Sequence, residues 1–139
     1  MANISNYLEE AILNHVMRNQ AYTTPTAVYC GLVDNTASDA DLEAGTLTNE
    51  ITGYLADRKE ITFTAPSQTV EDHEGKATIL NSNQMEFIDM PAVTIKYAIV
   101  CDAATEGNIL YWCPLTPEKT SNAGDTLKIE ENELVLDLD

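Results

Sequence analysis

Basic residues are scarce in this chain. Seven Lys and Arg stand against 23 Asp and Glu among 139 residues, a formal charge of −16. A surface of that sign repels phosphate backbones and anionic lipid, so neither nucleic acid nor a membrane is expected as a partner. Long apolar runs are missing as well, and nothing approaches the roughly 18 residues that a spanning helix needs. The opening residues, Met1 to Ser5, have neither the basic start nor the apolar stretch of a secretory signal. The expectation is a chain made in a cytoplasm. Glycine is thin, with six scattered residues that read as turn positions and form no phosphate-cradling loop. Aromatics make up only 6%, and Trp112 is the single tryptophan.

Cysteine is limited to Cys30, Cys101 and Cys113. An odd count without C-x-x-C spacing is neither a disulfide framework nor a zinc site. All three lie in apolar runs and read as small core residues. The alternative is a crosslink formed after release into an oxidising medium. A catalytic thiol needs a neighbouring base, and His15 and His73 are both remote in sequence from every cysteine. No G-x-S-x-G occurs, so a serine triad has no support. His15 reads as a helix-surface residue and His73, between Asp72 and Glu74, as a solvated side chain.

What is present is a normal hydrophobic share, 44%, in a chain long enough to bury one core. We read residues 1–139 as a single domain, with a helix over 4–19 and a β-sandwich over 26–139. Ile4, Leu8, Ala11, Ile12 and Val16 recur at helical spacing. Ser5 or Asn6 caps the start, Glu9 and Glu10 sit in the first turns, and Arg18 closes the last. Such a helix either packs on its own sheet or serves as a docking arm.

The remainder reads as eight or nine short strands with turn signals at roughly 8–12-residue spacing, the mark of an antiparallel sandwich or barrel. Ala27–Val33 is a nearly continuous apolar run, hence a central strand. Asp34 to Thr48 is polar and reads as a long exposed loop. Arg58–Thr64 alternates. Ala77–Leu80 and Met85–Ile88 bracket a turn at Asn81–Gln84. Val93, Ile95, Tyr97, Ile99 and Cys101 share one side at period two. Asp102–Asn108 reads as a hairpin loop with Gly107 at positive φ. Ile109–Cys113 returns and Pro114 and Pro117 stop it. Asn122–Asp125 turns the chain into Thr126–Ile129, and Leu134, Leu136 and Leu138 alternate in a last strand.

Carboxylate clusters raise two chemistries. Asp34, Asn35, Asp39, Asp41 and Glu43 crowd one stretch, and Glu71, Asp72 and Glu74 another. Calcium takes six to eight oxygens from such loops, but neither stretch has EF-hand spacing, so a solvated acidic surface is the default and no metal or other cofactor is assigned. Paired acids also run glycoside hydrolysis, yet Trp112 is the only candidate sugar platform. Tyr22, Tyr29, Tyr54, Tyr97 and Tyr111 with Trp112 read as core or as an interface set. No catalytic residue is assigned.

The order of segments resembles a family of small virion proteins of tailed bacteriophages. The residues that carry the likeness are Ser5–His15, Ala21-Tyr22-Thr23 with Pro25, Val28–Leu32, Glu50–Tyr54 with Arg58, and Ile61–Phe63. Asp102–Tyr111 resembles the family's "D-A-x-T-G-G-N-L-L" hairpin, and Pro117–Thr120 followed by Gly124–Leu127 resembles its closing "P-K-T-v-x-x-G-D-T". Glu106 replaces a second glycine, and the stretches near Gly53 and over Asp41–Asn49 are leaner in glycine. The resemblance implies a jelly-roll-like β-sandwich, a virion location after synthesis in the host cytoplasm, and no enzymatic activity. It covers capsid decoration (cement) proteins and tail-fibre-like proteins. With no repeat, coiled coil or glycine-rich shaft, the expectation is decoration of the head through contacts with the major capsid protein or another virion protein, as a homo-oligomeric dimer or trimer. The alternative is a tail- or fibre-associated protein that binds host glycan. The contact residues expected are Tyr7, Glu10, Asn14 and Arg18 on the helix and Asp39, Asp41, Leu42 and Leu47 in the acidic stretch.

Overall fold

A computed structural model describes residues 2–52 and 58–139; Gly53 and Tyr54, named above, lie outside the described residues. The elements are β1 (Asn3–Ile4), α1 (Asn6–Met17), β2 (Val28–Asp34), α2 (Asp39–Glu43), β3 (Lys59–Ile61), β4 (Ala77–Leu80), β5 (Met85–Met90), β6 (Val93–Cys101), β7 (Ile109–Ser121), β8 (Asp125–Ile129) and β9 (Val135–Leu138). Five strands make an antiparallel sheet in the order β1-β7-β6-β2-β3, while β4 pairs with β9 and β5 with β8. The expectation of a mainly β, antiparallel fold behind an N-terminal helix holds.

The main sheet is buried on both faces. On one face Cys30, Leu32, Ile95, Ala98 and Val100 pack with Met85, Phe87 and Met90 of β5 and with Leu136 of β9. The two small ladders therefore form the second layer of a sandwich-like arrangement. On the other face Val33, Tyr97, Ile99, Cys101, Ile109 and Trp112 form a second cluster, closed by Ala37 and Leu42, with Leu47 packed against it.

That second cluster corrects the reading of Asp34–Thr48 as an exposed loop. The stretch contains α2, and Leu42 is fully buried. Ser38 Oγ accepts from the Asp41 backbone N–H while the Asp41 carboxylate accepts from the Ser38 N–H, a reciprocal cap. Five residues are too few for a 3.6-residue period to show in sequence.

Two strand expectations also need correction. The five alternating residues of β6 do not share a face. A bulge at Lys96 separates Ile95 from Tyr97, so Ile95 joins the first cluster and Tyr97, Ile99 and Cys101 the second. One extra residue reverses every side chain beyond it. Nor do the prolines stop β7, which runs to Ser121. β1 covers its outer edge only at Tyr111 and Trp112, and a residue without N–H is tolerated where an edge has no partner strand. Asn81–Gln84, between β4 and β5 as expected, carries the chain from one ladder to the other. Buried Asn81 fixes this crossing, its Nδ2 donating to the carbonyls of Asn83 and Glu130 and its Oδ1 accepting from Leu134 N–H.

Candidate interaction surfaces

α1 begins where Ser5 Oγ accepts from Leu8 N–H. The same hydroxyl donates to the carbonyl of Ile109, so the helix start is fixed to β7. Ile4, assigned to the helix from its spacing, belongs to β1 and pairs with Tyr111. Leu8, Ala11 and Ile12 are half-buried, and no residue of α1 is fully buried. Val16, expected on the inner face, is 65% exposed; Leu13 and Met17 are exposed at 59% and 76%. The helix therefore presents apolar side chains to solvent in its last turns.

Of the expected helical contact residues, Tyr7, Glu10 and Arg18 are exposed. Asn14 is half-buried, and its Oδ1 accepts from Arg18 Nη1 at 2.9 Å. His15 is exposed, with Nδ1 3.0 Å from the Gln20 carbonyl. Sequence reasoning missed Leu13, Met17 and Leu138. Leu138 is 48% exposed and lines a shallow depression with Ile4, Glu9, Ile12, Leu13 and Asp139. The available signal was Leu13 and Met17, one turn apart on the face opposite Leu8, Ala11 and Ile12.

The acidic stretch is differently employed. Asp39 accepts from the Tyr97 hydroxyl, and Glu43 from Trp112 Nε1 at 2.8 Å. The Ser38 backbone and side-chain hydrogen bonds hold the Asp41 carboxyl below its ordinary range. Leu42, expected to touch a partner, has no exposed side chain to offer, because the second cluster consumes it. Leu47 is half-buried on that cluster. Trp112 is only 7% exposed and stacks edge-on to Tyr97 at 5.9 Å, so it is no platform for a sugar.

Other titratable groups serve the fold. His73, expected to be solvated, has Nδ1 2.7 Å from Asp137 Oδ2, while Thr78 Oγ1 donates to Asp137 Oδ1 at 2.8 Å. Among the described residues no three of His, Cys, Asp and Glu gather as metal ligands would. All three cysteines carry free thiols. Among the described residues no helix is long and apolar enough to cross a membrane.

No curated protein matches the chain. The family model described as "Podophage GP4 fiber I protein gp80" matches residues 3–137. The match takes in α1, both layers and both core clusters, and it agrees with the resemblance to small virion proteins read from the sequence. A virion structural protein meets other virion components, which gives the exposed surface of α1 a context. The chain belongs to the podophage GP4 fiber I protein gp80 family, structural proteins located in the phage virion.

Proposed function

We propose that this chain is a non-enzymatic subunit of a virion fibre and acts by burying surface against other virion proteins. The observation that carries this is the fibre-protein family match over residues 3–137. The described side chains are consistent with a building role: Asp41 caps a helix, Glu50 holds a connection through Arg58, His73 meets Asp137 on β9, and Glu43 bonds Trp112 on β7. Trp112 offers no stacking surface to a host glycan, since that ring lies in the core.

Capsid decoration is the second reading. It is favoured by the compact sandwich, which shows no shaft or coiled coil among the described residues. A dimer or trimer on the major capsid protein would fit it.

Immunogold electron microscopy of intact particles, with antibody raised against this chain, separates the two. Label on fibres supports the first reading. Label spread over the shell replaces it with decoration. Particles without label overturn both.

A further inference from the structure

Among the described residues six large hydrophobics are exposed: Tyr7, Leu13, Val16, Met17, Ile88 and Leu138. Four of them are on α1, and Leu138 shares a depression with Leu13. A surface helix ordinarily turns its apolar stripe inward, whereas α1 has no buried residue. Its inner contacts are made by the half-buried Leu8, Ala11 and Ile12. The outer stripe is organised around Leu13. Residues three and four positions away lie on the same face, which places Glu9 and Glu10 on the N-terminal side of Leu13 and Val16 and Met17 on the C-terminal side. Asp139 lines the depression beside Glu9. A contiguous apolar patch of this kind marks a contact site.

Charge decides the occupant. The patch carries Glu9, Glu10 and Asp139. Arg18 lies five positions beyond Leu13, off the stripe, and its guanidinium is turned to Asn14. A second copy set on this patch would bring the same carboxylates to the same apolar contact, in a chain already at −16. Like charges face to face at an interface cost several kcal/mol. A segment that carries apolar side chains flanked by Lys or Arg satisfies both halves of the patch.

We propose that the outer face of α1, with Leu138, is the attachment site for an apolar, basic-flanked segment of a different virion protein. The proposal rests on the virion role above and names the surface and partner chemistry that the role requires. Leu13 fills the centre of the contact, Val16, Met17 and Leu138 extend it, and Glu9, Glu10 and Asp139 draw the basic flanks.

The test uses phage particles from a null mutant of this gene and the purified full chain added back, with bound chain quantified after pelleting. The wild-type chain binds, and less tightly as salt rises, since exposed ion pairs are screened. Leu13→Asp with Met17→Asp lowers affinity at least about tenfold. Glu9→Lys with Glu10→Lys does the same. Ile88→Asp, an exposed apolar site on β5, binds as wild type. These side chains are exposed, so circular dichroism and melting temperature stay at wild-type values. Failure of the wild-type chain to bind any depleted particle defeats the virion role itself. Wild-type binding with undiminished Leu13→Asp/Met17→Asp binding overturns the inference and leaves that role standing. Unchanged binding of the lysine variant overturns the basic partner. A wild-type oligomer in sedimentation equilibrium that Leu13→Asp/Met17→Asp dissolves assigns the patch to a second copy and overturns it too.

Discussion

Arg58 grips Glu50 in a two-point ion pair, Nε to Oε1 at 2.7 Å and Nη2 to Oε2 at 2.9 Å. The Arg58 side chain is almost fully enclosed. Its Nη1 donates to the carbonyls of Ala103 and Glu106 in the β6–β7 hairpin, at 2.7 and 2.6 Å. One side chain thus ties two connections together on the face of the sheet that carries the second cluster. Arg58→Ala strands a partly buried carboxylate and two carbonyls, and we expect a loss of about 3–5 kcal/mol in urea unfolding. Arg58→Lys keeps the charge without the planar fork and should lose about 1–3 kcal/mol. Hairpin amides 103–107 should exchange faster in both variants. A lysine variant as stable as wild type would show that the fork is dispensable.

Gly31 makes room for that grip. A Cβ there would lie 2.9 Å from Glu50 Oε1, 3.2 Å from Arg58 Cγ and 3.3 Å from Ile99 Cγ1. Gly31→Ala should therefore cost about 1–3 kcal/mol through overpacking. Part of that cost should vanish in a Glu50→Ala background, because the closest atom is gone. Strict additivity in the double-mutant cycle would rule out the steric link.

The cores of these elements were legible where local chemistry fixes them. β6 spans Val93–Cys101 as its β-branched run indicates. The 102–108 hairpin forms with Gly107 at φ +70°, and Asp102 accepts from Asn108 N–H and Nδ2. Glu106, where the related pattern has glycine, also takes positive φ, +53°; the turn keeps its shape with a side chain in the left-handed region. Features that depend on tertiary partners were not legible. The Lys96 bulge leaves no mark in an apolar run buried on both faces. The pairing of β4 with β9 and β5 with β8 is long-range. The exposed side of α1 is hidden because a helix with apolar residues on both faces gives no single direction to read; the spacing that picks out Ile12 and Val16 does not single out Leu13 and Met17.

The burial of Trp112 is incompatible with a ligand platform, and it makes the opposite behaviour testable. The ring packs in the second cluster and its N–H is bonded to Glu43. Trp112→Ala should cost about 3–5 kcal/mol by leaving a cavity. The wild-type fluorescence should be blue-shifted and poorly quenched by acrylamide. A red, fully quenched emission would place the ring in water.

Thiol reactivity should divide by burial. Burial, with the nearby Cys101 and Cys113, pushes the Cys30 thiol up to about 12. Burial likewise takes Cys101 to about 12, helped by Glu50 and Asp102 and opposed by Arg58. Cys113 is raised by burial but is only partly enclosed. The thiolate is the reactive form. In native protein at pH 8, iodoacetamide should label Cys113 first, and Cys30 and Cys101 only at the rate of unfolding, as peptide mass spectrometry would record. Labelling of Cys30 as fast as Cys113 would contradict the packing.

Asp137 sets an acid limit on the second layer. Burial pushes its carboxyl up, but hydrogen bonds from His73 and Thr78 and the charges of His73 and Lys76 outweigh that, and the net position is below the ordinary 3.8. A carboxyl whose folded-state pKa is depressed contributes stability above its unfolded-state value. That contribution is lost as pH falls through the folded-state value. Asp137 also anchors β9 to β4 through Thr78 and to the 66–76 connection through His73. Asp137→Asn should therefore cost about 1–3 kcal/mol near neutrality. The gap between variant and wild type should narrow as the pH is lowered from about 5 to about 2.5, since only the wild type has that ionisation to lose. Melting temperatures of both proteins across that range check this. A gap that stays constant would mean that the carboxylate acts by shape alone, with its charge contributing nothing to the joint between β4 and β9.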